Sequence, residues 1–402
     1  MNETAHEKGV YPRLKLLKGH SRRLRAGHPW VFSNEIEMTP AAKGLEPGSL
    51  VTLIDAGDEA LGVATFNPHS LIAARLLSRA PDARIDAAFL AGRLRHALAL
   101  REALFAEPCY RLIHAEADGL PGLIVDRYGD VVALQVNTAG MERLTEPLLE
   151  ALDEVLAPRA VALINDSTVR GLEGLDSYSR VAKGEIDGPV PVRENGATFF
   201  ADMAGGQKTG WFYDQRDNRA FVARLAPGRR VIDVYSYAGG FGVLAAVSGA
   251  SEVVLVDRSD HALDLGRQAA EAGNVADRCH FAKAEAFAEL ERLAAAGERF
   301  GVVIADPPAF VKSRKTVAQG AKGYRKLARL AAALVEPGGF LFIASCSHHM
   351  EVDAFHTEIA HGIAQAGRSG RILRSAGAGP DHPLHPMVPE SAYLKALVLQ
   401  LD

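Results

Sequence analysis

The sequence predicts an α/β protein whose C-terminal domain is a mainly parallel sheet, preceded by a small all-β unit and a middle α+β domain. Three observations predict this. From about residue 196 onward, strand-like and helix-like stretches alternate at intervals of roughly 20 to 25 residues, the pattern of βαβ units. From about residue 11 to 80, short alternating runs such as "SLVTLIDA" and "ALGVATF" are broken by Pro47-Gly48, Gly57 and Asn67-Pro68, as in a compact β unit. With 402 residues, the chain is also too long for one ordinary core. The expected boundaries are 1–82, 83–195 and 196–402.

Between these zones, "RIDAAFLAGRLRHALALREAL" repeats its apolar residues at helical spacing and predicts a helix opening the middle domain. Strands follow near "YRLIHAE", "GLIVDRYG" and "VVALQVNT", a helix in "MERLTEPLLEALDEVL", and strands near "AVALIND" and "PVPVREN".

Hydrophobic residues make up 48% and charged residues 23% of the chain, and no low-complexity tract interrupts it, which excludes a disordered protein. No segment approaches the roughly 18 to 20 apolar residues that cross a bilayer. The polar start "MNETAHEKGV" lacks the apolar stretch of a signal peptide, so the expectation is a cytoplasmic protein with no membrane partner. Three cysteines, Cys109, Cys279 and Cys346, are widely spaced. They fit neither a disulfide framework nor a Cys-x-x-Cys metal pattern, so a reducing compartment and no metal site are expected.

The net charge of −4 conceals an asymmetry. The stretch "YPRLKLLKGHSRRLR" carries Arg13, Lys15, Lys18, Arg22, Arg23 and Arg25 without one acidic residue. A basic strip of this density suits contact with nucleic-acid phosphates, and a merely solvated basic face explains it as well.

The chemistry-bearing stretches lie in the C-terminal zone. In "RRVIDVYSYAGGFGVLAA" an apolar strand, Val231 to Tyr235, runs into Ala238-Gly239-Gly240-Phe241-Gly242 and a helix start, so glycines sit where a backbone must approach a ligand. The spacing is not that of a dinucleotide fingerprint. The next strand, "EVVLVD", ends in Asp257, where a carboxylate can accept both hydroxyls of a ribose. Glu285 follows the strand after that and can meet an adenine edge; the ordinary reading makes both acids helix caps. "GVVIADPPAFVKSRK" ends a strand with Asp306 and two prolines, which fix the direction of a loop at the carboxyl edge of the sheet. Phe310 offers a ring for stacking on a base, and Lys312, Arg314 and Lys315 offer charge. After the apolar run Gly339 to Ile343, Cys346 stands between two serines in "ASCSHHM". Buried filler is the ordinary reading of a cysteine, and polar neighbours at a strand end favour a nucleophile.

The C-terminal half resembles the class I S-adenosylmethionine-dependent methyltransferases, with their Rossmann-like fold. The whole chain resembles the PUA-domain-containing cytosine-5 methyltransferases of large-subunit ribosomal RNA. The resemblance rests on "GHPWVFSNEI" (27–36), "FNPHS" (66–70), "DGLPGLIVDRYGD" (118–130), "GQKTGWFYDQRDNR" (206–219), "YSYAGGFG" (235–242), "DPPAF" (306–310), "SCS" (345–347), "DHP" (381–383) and "YLK" (393–395). It implies that the first domain is a PUA β-barrel that binds RNA, with Arg13, Lys15, Arg22, Arg23, Phe310 and Lys312 as candidate RNA contacts. It implies S-adenosyl-L-methionine as cofactor, with Ser236, Gly239 and Phe241 lining its methionine part and Asp257 on its ribose. Glu285 stands where the family usually has Asp at the adenine amino group. Lys208, Thr209, Asp214 and Arg216 are further candidates near the donor. Homodimerisation is implied by the family alone, and no sequence pattern carries it.

The resemblance also implies a covalent mechanism with Cys346 and Asp306 as the catalytic residues. Carbon 5 of cytosine is a poor nucleophile, and thiolate attack on carbon 6 turns the ring into an enamine whose carbon 5 can take a methyl group. Asp306 would hold or protonate the ring nitrogen during attack, and His348 or His349 could help lower the thiol pKa. Some RNA cytosine-5 methyltransferases carry a second cysteine after the fourth-strand proline; here Pro308-Ala309 offers none. Methylation of guanine N7 or of an exocyclic amine, neither of which needs a cysteine, and a non-catalytic RNA-binding assembly factor are the alternatives.

Overall fold

The computed structural model describes residues 11–203 and 210–402, whose contacts form two compact units. The first runs to Asp187 and includes Pro383–Pro389; the second comprises Gly188–His382 and Glu390–Asp402. The first unit therefore holds the sheets expected for the first two domains. The strand Val190–Glu194, expected in the middle domain, falls in the second unit, paired antiparallel with Ala197–Ala201.

In the first unit, one five-stranded sheet has the spatial order Arg13–Lys15, Ser49–Ile54, Ala60–Phe66, Ala74–Ser78, Trp30–Val31. Its core is built from Leu14, Leu16, Leu24, Val51, Leu53, Ala64 and Phe66. A second sheet orders Tyr178–Lys183, Ala160–Asn165, Val131–Val136, Leu123–Tyr128 and Cys109–His114. Leu90, Leu94, Leu148 and Leu152, from the helices Ala87–Leu104 and Thr145–Leu156, join its core. Asp86 starts the first of these helices by accepting from the Phe89 N–H. The expected single helix over 141–156 is two, Ala139–Arg143 and Thr145–Leu156. Pro147 has no N–H to give the Arg143 carbonyl, so the helix restarts, with the proline accommodated in its first turn.

The second unit carries a seven-stranded sheet: β1 (Arg230–Val234), β2 (Glu252–Asp257), β3 (Cys279–Lys283), β4 (Phe300–Ala305), β5 (Val335–Ser345), β6 (Gly370–Ala376) and β7 (Lys395–Leu401). The order is β3-β2-β1-β4-β5-β7-β6; the first five pair in parallel, and β7 runs antiparallel to both neighbours. Every residue of β4 is buried, as expected of a strand covered on both faces. Helices α1 (Arg216–Ala223), α2 (Gly240–Val247), α3 (Asp260–Ala272), α4 (Ala286–Ala295), α5 (Val317–Leu334) and α6 (Val352–Gln365) supply the crossovers and covers. Strand order reverses between β1 and β4, and open α/β sheets bind ligands beyond the carboxyl ends of the strands at such a switch point.

Helix α5 holds the Asp-Pro-Pro loop down. It buries Tyr324, Leu327, Ala328 and Ala331 at helical spacing, and its Gly320 lies where a Cβ would come within 2.4 Å of Val311 and 2.8 Å of the Phe310 carbonyl oxygen. Below the switch point, Glu194 is fully buried and accepts from Arg219 Nε at 2.6 Å and from Trp211 Nε1 at 3.1 Å. The pair fastens α1 to the Val190–Ala201 hairpin. Removing the carboxylate would leave Arg219 buried and uncompensated. Glu194→Ala is expected to cost about 3 to 5 kcal/mol, read as a lowered urea midpoint at unchanged slope; an unchanged midpoint would show that the pair contributes nothing.

Candidate active site

The chain leaves β1 through a strained turn. Tyr235, Tyr237 and Gly239 have φ of 65°, 46° and 78°, in the left-handed region that non-glycine residues rarely enter. At Gly239 a Cβ would lie 2.8 Å from Val243, so only glycine fits both the conformation and the space. Ser236 is buried, and among the described residues its hydroxyl has no partner. Asp257, at the tip of β2, accepts from the Tyr237 N–H at 3.0 Å through Oδ2 and from the Ser259 N–H at 2.9 Å through Oδ1. The cap of α3 is Ser259, not Asp257. An orphaned hydroxyl, a turn open only to glycine and a carboxylate fixed at the neighbouring strand tip fit the polar, ribose-bearing donor.

Two expected donor residues have partners within the chain. Glu285 is exposed and caps α4 by accepting from the Ala288 N–H, the ordinary role for an acid at that position. The Phe241 ring turns inward onto Phe342, centroids 4.7 Å apart, because position 241 falls on the sheet-facing side of α2.

At the end of β5, Ser345 and Ser347 are fully buried while Cys346 between them is partly exposed. The serines are tethers. Ser345 Oγ donates to the Tyr324 hydroxyl at 2.8 Å, and that hydroxyl lies 2.8 Å from Ser347 Oγ. Ser347 Oγ in turn accepts from the Val311 N–H at 3.1 Å. Cys346 is thereby held against the Asp-Pro-Pro loop, its Sγ 4.0 Å from the Pro307 carbonyl oxygen. From β7, whose Lys395 pairs with Ser345 across the strands, Nζ donates to the Ser347 carbonyl at 2.7 Å. Burial lowers the Lys395 pKa, against the opposing pull of Glu351 and Cys346. Burial, then Lys395 and His349, lowers that of His348. Neither Lys395 nor Tyr324 was singled out from sequence; "YLK" contained the former without indicating a role.

Three carboxyls converge on the switch point. Asp306 accepts from Gln215 Nε2 at 3.0 Å, and its pKa is pushed up to about 7, by burial first and Asp214 second, against Arg219 and Gln215. Asp233, beneath the turn, accepts from the Gly242 N–H at 2.7 Å and is likewise pushed up to about 7, chiefly by burial. Asp214 is buried and accepts from the Tyr393 hydroxyl at 2.6 Å. Arg216 is buried instead beside Glu194, at 3.8 Å, and over the Tyr213 ring. Lys208 and Thr209 lie outside the described residues.

The expected RNA contacts separate into two groups. Arg13 donates to the Asp58 carbonyl, Lys15 pairs with Asp58 at 2.9 Å, Arg23 with Glu35 at 2.8 Å and Arg25 with Asp55 at 2.9 Å. The basic strip is thus largely compensated, because strand Arg13–Lys15 pairs with Thr52–Ile54 and brings the acidic turn 55–59 beside it. Arg22 remains exposed. Phe310 is half-buried, its ring packed between Tyr324 at 4.8 Å and Phe287 at 6.0 Å. Lys312, Arg314 and Lys315 are exposed beyond the loop. Cys109 and Cys279 are buried. Among the described residues, no helix is long and apolar enough to cross a membrane, and no group of three or more His, Cys, Asp or Glu could hold a metal.

Residues 170–400 match the S-adenosylmethionine-dependent methyltransferase family, and residues 14–79 match a PUA-like domain. The chain is 36% identical over 394 residues to the ribosomal RNA large subunit methyltransferase I of Erwinia tasmaniensis, covering 97% of this chain and 99% of that protein. It is 34% identical to the protein of the same name from Pseudoalteromonas atlantica, over 97% and 99% of the two chains. Among solved structures, a methyltransferase complexed with SAH shares the fold at a TM-score of 0.81 and 20% identity, covering 97% of this chain and all of that one.

Asp233 makes the stability of this unit depend on pH. Its folded pKa, about 7, lies above the ordinary 3.8, so the folded state keeps a proton that the unfolded state loses. Stability from this group is complete below pH about 4 and is lost as pH rises through about 7. Asp233→Asn can still accept from Gly242 and removes the titration. Its melting temperature relative to wild type is expected to rise between pH 4 and pH 8; a difference constant with pH would contradict the shift.

Proposed function

We infer that this chain, which belongs to the S-adenosylmethionine-dependent methyltransferase family, methylates carbon 5 of a cytosine in large-subunit ribosomal RNA through a covalent Cys346 adduct. The observation that carries the reading is Cys346 itself, partly exposed between two buried serine tethers and held against the Asp-Pro-Pro loop. Methylation of guanine N7 or of an amine needs no such thiol. The near full-length likeness to relatives named as large-subunit ribosomal RNA methyltransferases supports the substrate class.

The cofactor, S-adenosylmethionine, supplies an electrophilic methyl group. Ser236, the backbone around Gly239 and Asp257 would hold it at the carboxyl end of β1. The Cys346 thiolate adds to carbon 6 of the base, and the Asp306 carboxyl gives a proton to N3 as the ring takes up the electron pair. Carbon 5, now the nucleophilic carbon of an enamine, would form the new carbon–carbon bond as the methyl–sulfur bond of the donor breaks and the sulfur keeps the electron pair, leaving as the neutral thioether. Loss of the carbon 5 proton to a base then expels the thiolate, and N3 returns its proton. The Lys395 ammonium, fixed on the Ser347 carbonyl, favours the thiolate form of the neighbouring cysteine. RNA phosphates are met by exposed cations, Lys312 and Arg22 among them, rather than by the compensated Arg13, Lys15 and Arg23.

The test is transfer of a labelled methyl group to unmodified large-subunit ribosomal RNA, with the modified nucleoside identified by mass spectrometry. Wild type is expected to give 5-methylcytidine, and Cys346→Ala to bind the donor normally yet lose about a thousandfold or more in transfer. A methylated guanosine, or normal transfer by the variant, would refute the covalent reading. The pH profile gives a separate prediction. Donation by Asp306 requires its protonated form, so with a pKa of about 7 the rate is expected to fall as pH rises above it. Asp306→Asn should be slower and lack that limb; if its profile keeps the limb, another group titrates.

A further inference from the structure

We propose that Asp214 reads the exocyclic amino group of the target cytosine, its unpartnered Oδ1 accepting an N4–H while Asp306 serves ring N3. This inference rests on the cytosine reading given above and deepens it from reaction class to base selection.

Asp214 is only 8% exposed, yet the hydrogen-bonding capacity of its carboxylate is half used. The Tyr393 hydroxyl donates to Oδ2 at 2.6 Å, and Oδ1 is buried without a partner among the described residues. A buried carboxylate oxygen left unpaired is costly, so it marks a place where a donor from outside the chain is to be received. The position is the right one. Gln215, the next residue, donates to Asp306 Oδ1 at 3.0 Å, and Pro307, the residue after Asp306, has its carbonyl oxygen 4.0 Å from Cys346 Sγ. Asp214 thus neighbours the residue that is hydrogen-bonded to Asp306 and acts on that carboxyl electrostatically, and the loop that carries Asp306 lies against the thiol.

Burial, and after it the nearby Asp214, raises the Asp306 pKa to about 7, which favours its protonated form. The hydrogen bonds divide the roles. Asp214 accepts a hydrogen bond from the Tyr393 hydroxyl on Oδ2 and leaves Oδ1 to accept from the base. Asp306 accepts the Gln215 amide on one oxygen and keeps the other for its own O–H. The pair thus presents one acceptor and one donor side by side. Cytosine offers the complement, an amino donor at N4 and an acceptor at N3. Uracil offers the reverse, an acceptor at O4 and a donor at N3, and so meets a mismatch at both positions.

The experiment uses the full chain and a ribosomal RNA segment spanning the nucleotide that wild type methylates, carrying cytidine, uridine or N4,N4-dimethylcytidine there. Asp214→Asn can turn either its oxygen or its nitrogen toward the base. The variant is therefore expected to bind S-adenosylmethionine like wild type, to lose cytidine methylation, and to lower the cytidine-to-uridine ratio of kcat/KM by about tenfold or more. Equal losses on both bases with an unchanged ratio would overturn the proposal, since that is what a merely structural residue gives. Loss of donor binding in calorimetry would also overturn it and assign Asp214 to the cofactor. Should the variant not fold, wild type alone decides. Its kcat/KM on N4,N4-dimethylcytidine, which keeps N3 and lacks both amino protons, is expected to drop about a hundredfold, and an unchanged value would dismiss the contact. A wild-type product other than 5-methylcytidine would instead sink the underlying reaction reading, by a different readout.

Discussion

The hydroxyl of Tyr324 is the constraint on which the candidate site depends. It is fully buried, accepts from Ser345 Oγ and from the Phe310 N–H, and is hydrogen-bonded to Ser347 Oγ. Three segments distant in sequence, α5, the end of β5 and the Asp-Pro-Pro loop, are tied at one atom. Burial raises the Tyr324 pKa, so the hydroxyl keeps its proton and the network stays neutral. A cysteine between two serines at a strand end would otherwise be free to turn. Tied on both sides, it is presented at one place, and placement within a fraction of an ångström is what the proposed covalent step requires.

Around that fixed point the charges are opposed rather than merely clustered. Asp306 and Asp233 are pushed up by burial and by neighbouring carboxyls, while Lys395 and His348 are pushed down. Acids whose protonated form is favoured by burial, near cations whose charged form burial disfavours, are the kind of perturbed groups that gather at functional sites. Arg219 lies at the root of this arrangement. It is neutralised by Glu194 and still lowers both Asp233 and Asp306, so the buried ion pair that fastens α1 also tempers the acids above it.

The N-terminal strip shows the limit of charge read along a chain. Six cations without an intervening acid look like an electrostatic footprint, and the parallel pairing of Arg13–Lys15 with Thr52–Ile54 sets Asp55, Asp58 and Glu59 against them. Local sequence reports what a segment carries; whether the charge is spent inside the unit depends on a strand some forty residues away. Phe310 makes the same point for an aromatic ring. Its position after Asp-Pro-Pro suggested stacking on a base, and Gly320 and Gly323 of α5 open a slot that takes the ring inward.

The sequence by itself determined the layout of the second unit: alternating strands and helices, a glycine-dependent turn after β1, an acid at the tip of β2, Asp-Pro-Pro after β4 and a cysteine after β5. These features are local, because each depends on backbone conformations and strand ends that a few neighbouring residues dictate. Only the tertiary structure decided which polar groups are satisfied. It placed Glu285 on a helix start, Phe241 in the core and Arg216 on Glu194, and it brought Tyr324, Tyr393 and Lys395 to the cysteine and its carboxyls. The physical reason is that hydrogen bonds and burial are settled between segments far apart in the chain. A residue's type fixes what it can donate or accept, and only its neighbours in space fix what it does.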